Sequence, residues 1–201
     1  ACGSAFPWCR ENGIDASFFN VDPQALMVDL ARGAKHGLLS TATDKGVFEV
    51  IENIEIFELV SFPGYKNHGV TAATATPYIA MEMGYGSKGI FFFGCESSFE
   101  KQTHTYKDEP DDNLMWVKCG ENIYLTKPIY LMQAELMAVS IRILPDVLID
   151  RSGGLLTALI ANKEYDVVSA NAALVDRMSF TLNGEAVDRS RVHEFLPITE
   201  I

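Results

Sequence analysis

Strand-like and helix-like segments alternate along this chain, and the strand-like segment at residues 90–93 constrains the fold most strongly. It is entirely apolar, stops at Gly94, and is followed at once by a polar cluster that includes Glu96. An apolar run of this length predicts a strand buried on both faces, as in the parallel sheet of an α/β protein. Ligands bind such sheets beyond the carboxyl ends of the strands, so the segment predicts a site as well as a fold.

The same alternation elsewhere predicts a mostly parallel sheet with right-handed helical crossovers. The predicted strands are residues 16–21, 37–40, 54–60, 90–93 and 146–149, with a hairpin at residues 114–118 and 122–125. The predicted helices are residues 6–12, 23–31, 44–51, 71–83 and 153–162, and one that begins at Pro128. Pro23 and Pro128 each predict a first helical residue, because proline fixes a helical φ where no N–H is needed. The apolar face expected on the helix at Pro128 consists of Ile129, Met132, Leu136, Met137 and Ile141.

The length of 201 residues suits one domain with a sizeable core and a small appendage. We predict a Rossmann-like three-layer α/β sandwich over residues 1–165. Residues 166–201 lose the alternation and are interpreted as an appendage. Cys2-Gly3-Ser4 looks like a strand-to-helix turn, so the domain is interpreted as lacking its first strand at the amino end.

The formal net charge of −11 argues against a surface built for a nucleic-acid backbone, which needs clustered Lys and Arg. A mononucleotide remains compatible, because helix amino termini and a divalent cation can replace basic side chains. No apolar stretch is long enough to span a bilayer, and we expect a cytoplasmic protein. The four cysteines lack paired metal-type spacing and are expected to be reduced thiols.

Three predicted strand-to-helix turns carry polar residues, at residues 2–4, 20–24 and 94–98. Because parallel strands end at one edge of a sheet, we expect these turns to line a single crevice. The side chains expected there are Ser4, Asp22, Gln24, Glu96, Ser97 and Ser98.

Two of these side chains, Asp22 and Glu96, are carboxylates. Mg²⁺ held together with substrate phosphates takes one or two carboxylates and keeps several waters, so the pair predicts a magnesium site. A plainer interpretation stays open, in which Asp22 caps the helix after Pro23 and Glu96 is a solvated loop acid.

Two further segments are candidates for the same crevice. A glycine-containing turn leads into a helix at Thr71 and Ala72, where backbone N–H groups favour an anion such as phosphate. Residues 104–112 predict a loop over the crevice, with His104 and Tyr106 as candidate proton-transfer or phosphate-contacting groups. The alternatives are an ordinary hydroxyl cap at Thr71 and an acidic, solvated loop.

The order and spacing of several short motifs resemble one known family over residues 1–161. The motifs are Asn20-Val21-Asp22-Pro23, Gly69-Val70-Thr71, Gly84-Tyr85, Gly94-Cys95-Glu96-Ser97-Ser98 and His104-Thr105-Tyr106. Together they resemble the 6-hydroxymethylpterin pyrophosphokinase MptE-like family, which includes the central domain of the Maf flagellin glycosyltransferases. More distantly they resemble the bacterial sialyltransferases that use CMP-sialic acid.

The resemblance implies a nucleotide substrate, such as ATP or a CMP-sugar, and a small-molecule acceptor. It places Gly3 and Ser4 where the family contacts the base or ribose, and Asp22 near the phosphate or Mg²⁺. It matches Thr71 and Ala72 to the start of the nucleotide-binding helix.

Other positions depart from the family pattern. Glu96 stands where the family has Asp, and Ser98 and His104 align with two tyrosines that hold the leaving phosphate. The phosphate-cradling first strand has no counterpart, and residues 125–128 lack the sialyltransferase general-base His. His104 would then have to supply the proton transfer.

Three functions stay open from the sequence. The first is Mg²⁺-assisted phosphoryl or diphosphoryl transfer, with Asp22 and Glu96 holding the metal. The second is glycosyl transfer from a nucleotide-activated sugar, assisted by His104 and Tyr106. The third is a non-catalytic nucleotide- or sugar-binding module. Homo-oligomer formation is also open.

Overall fold

The computed structural model describes residues 1–58, 71–99, 114–170, 181–182 and 185–186. The chain forms two compact units, residues 1–85 and residues 86–201. Each unit has its own strands, helices and buried residues.

The first unit is built on a parallel sheet of three strands in the order β1-β2-β3. These strands are β1 (Phe18–Asn20), β2 (His36–Ser40) and β3 (Asn53–Phe57). Cys2 makes an isolated parallel bridge to Phe19 on the free side of β1, and the Phe19 N–H donates to the carbonyl of Ala1 at 2.9 Å. The expected strand-to-helix turn at residues 2–4 therefore pairs with the sheet and leads into α1 (Ala5–Glu11).

One face of this sheet is covered by α1, α2 (Met27–Ala31) and α3 (Lys45–Val50). Phe6 and Phe18 pack edge to face, with ring centroids 5.5 Å apart. The layer is closely packed at Gly37, because a Cβ there would lie 2.8 Å from Cδ1 of Ile51 and Ile51 would have to shift. The buried residues of this core are Phe6, Phe18, Leu30, Ala31, Ala34, Leu39, Val47 and Ile51.

Two helix starts behave differently from each other. Asp44 caps α3, its side chain accepting from the Gly46 N–H at 2.8 Å, so that helix starts close to where it was predicted. Pro23 does not open α2, and that prediction was wrong. The Asp22 carboxylate accepts the Gln24 N–H at 2.9 Å and closes a turn, after which the helix begins only at Met27.

The last helix of the first unit is α4 (Ala72–Glu82). Thr71 and Thr74 form a reciprocal capping box at its amino end, which confirms a helix start at this point. Pro77 lies inside the helix and is accommodated without ending it. The Thr71–Thr74 cap therefore determines where α4 begins, although Pro77 lies within the helix.

The second unit contains small sheets of both kinds. Strands β4 (Ile90–Phe92) and β7 (Leu148–Asp150) pair in parallel. Strands β5 (Met115–Cys119) and β6 (Asn122–Thr126) form the predicted antiparallel hairpin, with Gly120 at φ +60° in its turn. Strand β8 (Asp166–Ala170) pairs with the other side of β5, with a register shift between Trp116 and Val117. A further short hairpin joins β9 (Thr181–Leu182) and β10 (Glu185–Ala186).

The strand at residue 90 is confirmed, but its predicted burial on both faces was wrong. Phe92 is buried, whereas Phe91 is 46% exposed and Phe93 is 72% exposed. Side chains alternate between the two faces of a strand, so β4 buries one face in this structure. The apolar run alone could not show this, because burial depends on which layers cover the sheet.

Two helices complete the second unit, α5 (Pro128–Ile143) and α6 (Gly154–Asn162). Pro128 occupies the first turn of α5 as predicted. The guanidinium Nη1 of Arg142 donates to the Leu159 carbonyl of α6 at 2.7 Å. The predicted apolar face of α5 is only partly the buried one, since Ile129 and Met132 are exposed. The buried α5 residues are Leu131, Gln133, Ala134, Met137, Ala138 and Ile141.

The chain is therefore a mixed α/β protein with small sheets that are partly parallel. Of the helices that the structure describes, none combines the length and apolar character needed to cross a bilayer.

The buried face of α5 can be tested with two neighbouring substitutions. Leu131→Ala should lower the free energy of unfolding by about 2–5 kcal/mol, because it removes a fully buried side chain. Met132→Ala should change it by less than about 1 kcal/mol, since that side chain is 42% exposed. Urea unfolding is followed by fluorescence in a Trp8→Phe background, so that Trp116 alone reports. Equal losses would contradict the observed packing.

Candidate functional site

The carboxyl edge of the first unit's sheet collects several of the predicted site residues. Gly3 and Ser4 follow the segment that pairs with β1, and Asp22 and Gln24 follow β1 itself. Because the pairing is parallel, these ends lie at the same edge of the sheet. Ser4 is the N-cap residue of α1, and Gly3 adopts φ +43° to make the turn.

Asn20 and Thr43 form a buried, hydrogen-bonded polar pair at this edge. Asn20 is only 2% exposed, and its side-chain amide donates to the Asp22 carbonyl at 2.8 Å and to the Thr43 hydroxyl at 3.3 Å. Thr43 in turn donates to the Asn20 carbonyl at 3.1 Å. Fully buried Ser40 accepts the Ala42 N–H at 3.1 Å. These bonds couple the segment after β1 to the segment after β2.

Asp22 is held in a defined orientation at this edge. One of its carboxylate oxygens accepts the Gln24 N–H, and its carbonyl accepts from Asn20. The residue is half-buried, whereas Gln24 is exposed. Asp22 therefore presents a negative charge on a turn fixed from two sides, which suits a cation ligand better than a freely rotating surface acid.

Helix α4 lies on the other sheet face and runs antiparallel to the strands. The Thr76 hydroxyl contacts Cys2 Sγ at 3.2 Å, level with the middle of β1. Ala80, further along α4, and Tyr85, just after it, line a cleft together with His36 at the start of β2. The amino end of α4 is therefore directed toward the carboxyl edge, where Asp22 lies.

The start of α4 carries the predicted phosphate-contacting residues Thr71 and Ala72. The Thr71 hydroxyl accepts the Thr74 N–H at 3.4 Å, and the Thr74 hydroxyl accepts the Thr71 N–H at 3.1 Å. The Thr71 hydroxyl is thus engaged in capping. An anion at this terminus would therefore be attracted by the backbone N–H groups and the helix dipole.

Cys2 lies close to this edge but is not an activated thiol. Burial raises the pKa of the Cys2 thiol above its ordinary value, against the smaller opposing effects of the Thr76 hydrogen bond and the terminal ammonium. A thiol with a raised pKa stays protonated and is a poor nucleophile. Covalent chemistry at Cys2 is therefore disfavoured.

In the second unit, Glu96, Ser97 and Ser98 lie on the loop after β4. This loop is bonded to the segment after β7: the Cys95 N–H donates to the Ser152 hydroxyl at 3.0 Å, and the Leu156 N–H donates to the Glu96 carbonyl at 3.1 Å. The Leu155 N–H donates to the Ser98 hydroxyl at 3.3 Å. The two parallel strands thus end in interlocked loops at the start of α6.

Ser97 faces inward and holds the loop in shape. It adopts φ +55°, which is uncommon for a residue with a side chain, and it is 8% exposed. Its hydroxyl donates to the Cys95 carbonyl at 3.2 Å and accepts from the Gln133 amide at 3.0 Å, while the Thr126 hydroxyl donates to its carbonyl at 2.6 Å. Ser97 is thereby committed to the interior, whereas Glu96 and Ser98 beside it are half-buried.

The sequence interpretation missed several residues of these two edges. In the first unit they are Asn20, Ser40 and Thr43, whose signal is a polar residue ending or following an apolar strand. In the second unit they lie in Asp150-Arg151-Ser152-Gly153-Gly154. There the Asp150 carboxylate accepts from the Ser152 N–H at 2.9 Å and from the Thr157 hydroxyl. A strand ending in Asp before Ser-Gly-Gly was the available signal.

The predicted site residues are divided between the two units. Ser4, Asp22, Gln24 and Thr71 belong to residues 1–85, whereas Glu96 belongs to residues 86–201. His104, Tyr106 and the turn at residues 67–70 lie outside the described residues. Within the described part of the chain, no group of three or more His, Cys, Asp or Glu is arranged to hold a metal. The Asp22–Glu96 magnesium pair stays a prediction.

A half-buried titratable pair joins α5 to the residue just before β8 in the second unit. The Tyr165 hydroxyl donates to Glu135 Oε1 at 2.9 Å, and both side chains are half-buried. Burial raises the pKa of Glu135, against the smaller opposing effect of this hydrogen bond. Burial, the nearby Glu135 charge and the hydrogen bond raise the pKa of Tyr165.

Comparison with known proteins gives no relative. No protein-family model matches the chain, and the comparisons with curated proteins and with solved structures give no match either.

Gly154 should prove essential to the interlocked loops. A Cβ at this position would lie 2.7 Å from both Glu96 Cβ and Ser98 Oγ, and the residue has φ +61°. We expect Gly154→Ala to lower the free energy of unfolding by about 2–5 kcal/mol, through backbone strain and overpacking together. Gly94→Ala is the matched control, since φ is +70° but no described atom lies within 4 Å of its Cβ. It should cost only the strain of about 1–2 kcal/mol, and equal losses in urea unfolding would contradict the close approach.

The pKa of Glu135 predicts a pH dependence of stability. The unfolded chain ionises this group from about pH 4.5. The folded chain keeps its proton to higher pH, so over that window it binds more protons and its stability falls as pH rises. Glu135→Gln should remove this fall in urea unfolding at stepped pH, while exposed Glu121→Gln should retain it. A fall of unchanged size in Glu135→Gln would show that another group is responsible.

Proposed function

We propose that this chain is a nucleotide-dependent transferase whose strands and helices form a Rossmann-like arrangement. The nucleotide phosphates bind at the carboxyl edge of β1–β3. The observation that carries the proposal is the turn that holds Asp22 at this edge, and the direction inferred for α4 supports it. A helix amino end and an oriented carboxylate at one sheet edge suit a phosphate and its accompanying cation.

The phosphate contacts come from the backbone rather than from basic side chains. The first turn of α4, around Ala72, supplies N–H groups and the positive end of the helix dipole. The turn at Gly3 and Ser4 lies at the same sheet edge and suits contact with the ribose or base. This mode of binding fits a chain with a net charge of −11.

Asp22 is the residue of the first unit that suits Mg²⁺. Its side chain is half-buried and oriented by the Gln24 N–H, and a single carboxylate is sufficient when phosphates and waters complete the coordination. Glu96 belongs to the second unit, and its part in metal binding stays a prediction from the sequence. It lies beside Ser97, whose buried hydrogen bonds fix the loop.

The reaction class that follows is phosphoryl or diphosphoryl transfer to a small-molecule acceptor. Mg²⁺ bound to the phosphates would neutralise the charge that develops during transfer. Asp22 would be the residue that holds the cation, and the α4 terminus would hold the phosphate in position. His104 and Tyr106 are proposed for proton transfer from the acceptor hydroxyl.

Nucleotide binding should depend on Mg²⁺ and on Asp22. ATP, CTP and CMP are titrated with and without Mg²⁺ in thermal unfolding and calorimetry. At about 100 times Kd a ligand that binds only the folded state stabilises it by about 2.7 kcal/mol, which is a shift of several degrees in Tm. Asp22→Asn should abolish the Mg²⁺-dependent part of the shift. Asp15→Asn, an exposed acid of the same unit, should retain it.

The outcomes separate the three functions. A shift with CMP that ignores Mg²⁺ would favour glycosyl transfer from a nucleotide-activated sugar. Binding without turnover of any tested acceptor would favour a non-catalytic module. Absence of any response to the three nucleotides contradicts the proposal, and an unchanged Mg²⁺-dependent shift in Asp22→Asn removes the metal role.

A further inference from the structure

The first unit has a cleft at the edge of its sheet opposite to Asp22. The residues that begin the strands and the carboxyl half of α4 enclose a cleft of about 540 Å³. Gly37 and Ile54 pack toward the core under α1–α3, so the alternating side chains of His36, Leu38 and Glu55 point to the other face, where the cleft lies. The volume is within the range of small-molecule sites.

The lining of the cleft is acidic on one side and apolar on the other. Glu52 directly precedes β3 and Glu55 lies within it, His36 and Asn53 add further polar groups, and neither Lys nor Arg occurs among the described residues that line the cleft. The apolar lining is made by Leu38, Ala80 and Met83, with the aromatic ring of Tyr85 at the exposed rim.

The carboxyl end of α4 adds to the negative potential. Ala80 lies in the last turn of this helix, and Met83 and Tyr85 follow directly, so the cleft meets the end of α4 that carries the partial negative charge. Two independent sources of negative potential therefore act on one cavity, the glutamate side chains and the helix dipole.

These properties select one class of ligand. An anion would be repelled by both glutamates, and a neutral apolar molecule would bury their charges without compensation. A hydrated metal ion gains nothing from the apolar wall, and oxygen-rich sites suit it better. An organic cation satisfies both sides, because its charge meets the carboxylates, its chain contacts the apolar wall and Tyr85 offers a ring face.

We propose that this cleft binds a small aliphatic diamine or polyamine. One ammonium group pairs with the Glu52 and Glu55 carboxylates, and the methylene chain lies against Leu38 and Met83. The site is separate from the nucleotide edge, since the cleft lies where the strands begin and Asp22 lies where β1 ends.

The test uses pentane-1,5-diamine, with pentane-1,5-diol as the uncharged analogue of the same length. Binding is measured by calorimetry and by amide chemical-shift changes at Ser17, His36 and Tyr85. The diamine should bind and the diol should not. Glu52→Gln and Glu55→Gln should each weaken the diamine by up to about fivefold, as expected for ion pairs at a surface, and the double variant should weaken it further.

Two controls make the result specific. Glu49→Gln removes an exposed acid on α3, on the covered side of the sheet, and should leave the affinity unchanged. Asp22→Asn should also leave it unchanged, so failure of the nucleotide proposal and failure of this one are distinguishable. Equal binding of diamine and diol, equal weakening by Glu49→Gln, or no diamine binding at all would overturn the proposal.

Discussion

Parallel pairing of β1 with β2 and of β2 with β3 is the constraint on which the first unit depends. Parallel neighbours cannot be joined by a tight turn, so each connection must cross over the sheet. Here α2 and α3 make those crossovers and bury Phe18 and Leu39 beneath them. The same pairing sends every strand end to one edge. The polar residues that terminate the strands are therefore neighbours, although they are distant in the sequence.

Burying polar groups at that edge carries an energetic penalty unless each finds a partner, and the structure meets this requirement locally. Asn20 and Thr43 exchange hydrogen bonds across the strand ends and fix the turn that carries Asp22. In the second unit, the Thr126 and Gln133 side chains perform the corresponding task for the loop at Ser97. Both edges are thus rigid supports for half-buried carboxylates, which is what a preorganised site requires.

Sequence signals predicted the elements that residues close in sequence determine. They failed where the packing of distant segments determines the structure. The start of α5 at Pro128 and the β5–β6 hairpin were predicted correctly, because proline stereochemistry and turn geometry act within a few residues. The exposure of Phe91 could not be predicted, since it depends on which layer covers β4.

The same division holds for the candidate site and for α5. Asp22 was recognisable as a polar residue after a strand, whereas Asn20 matters only because Thr43 is folded against it. Helix α5 has apolar residues around much of its circumference, including both Leu131 and Met132, so periodicity alone could not select the buried face.

A single helix gives the two edges of the first sheet opposite chemical character. Helix α4 runs antiparallel to the strands, so its positive end is directed toward Asp22 and its negative end toward Glu55. A dipole of about half a charge at each end reinforces what the side chains establish, with hydroxyl and amide groups at one edge and glutamates at the other. The carboxyl edge then suits a phosphate with its cation, and the cleft suits an ammonium group. Reversing α4 would set the dipole against both ligands, so both proposed sites of this small sheet depend on the direction of one helix.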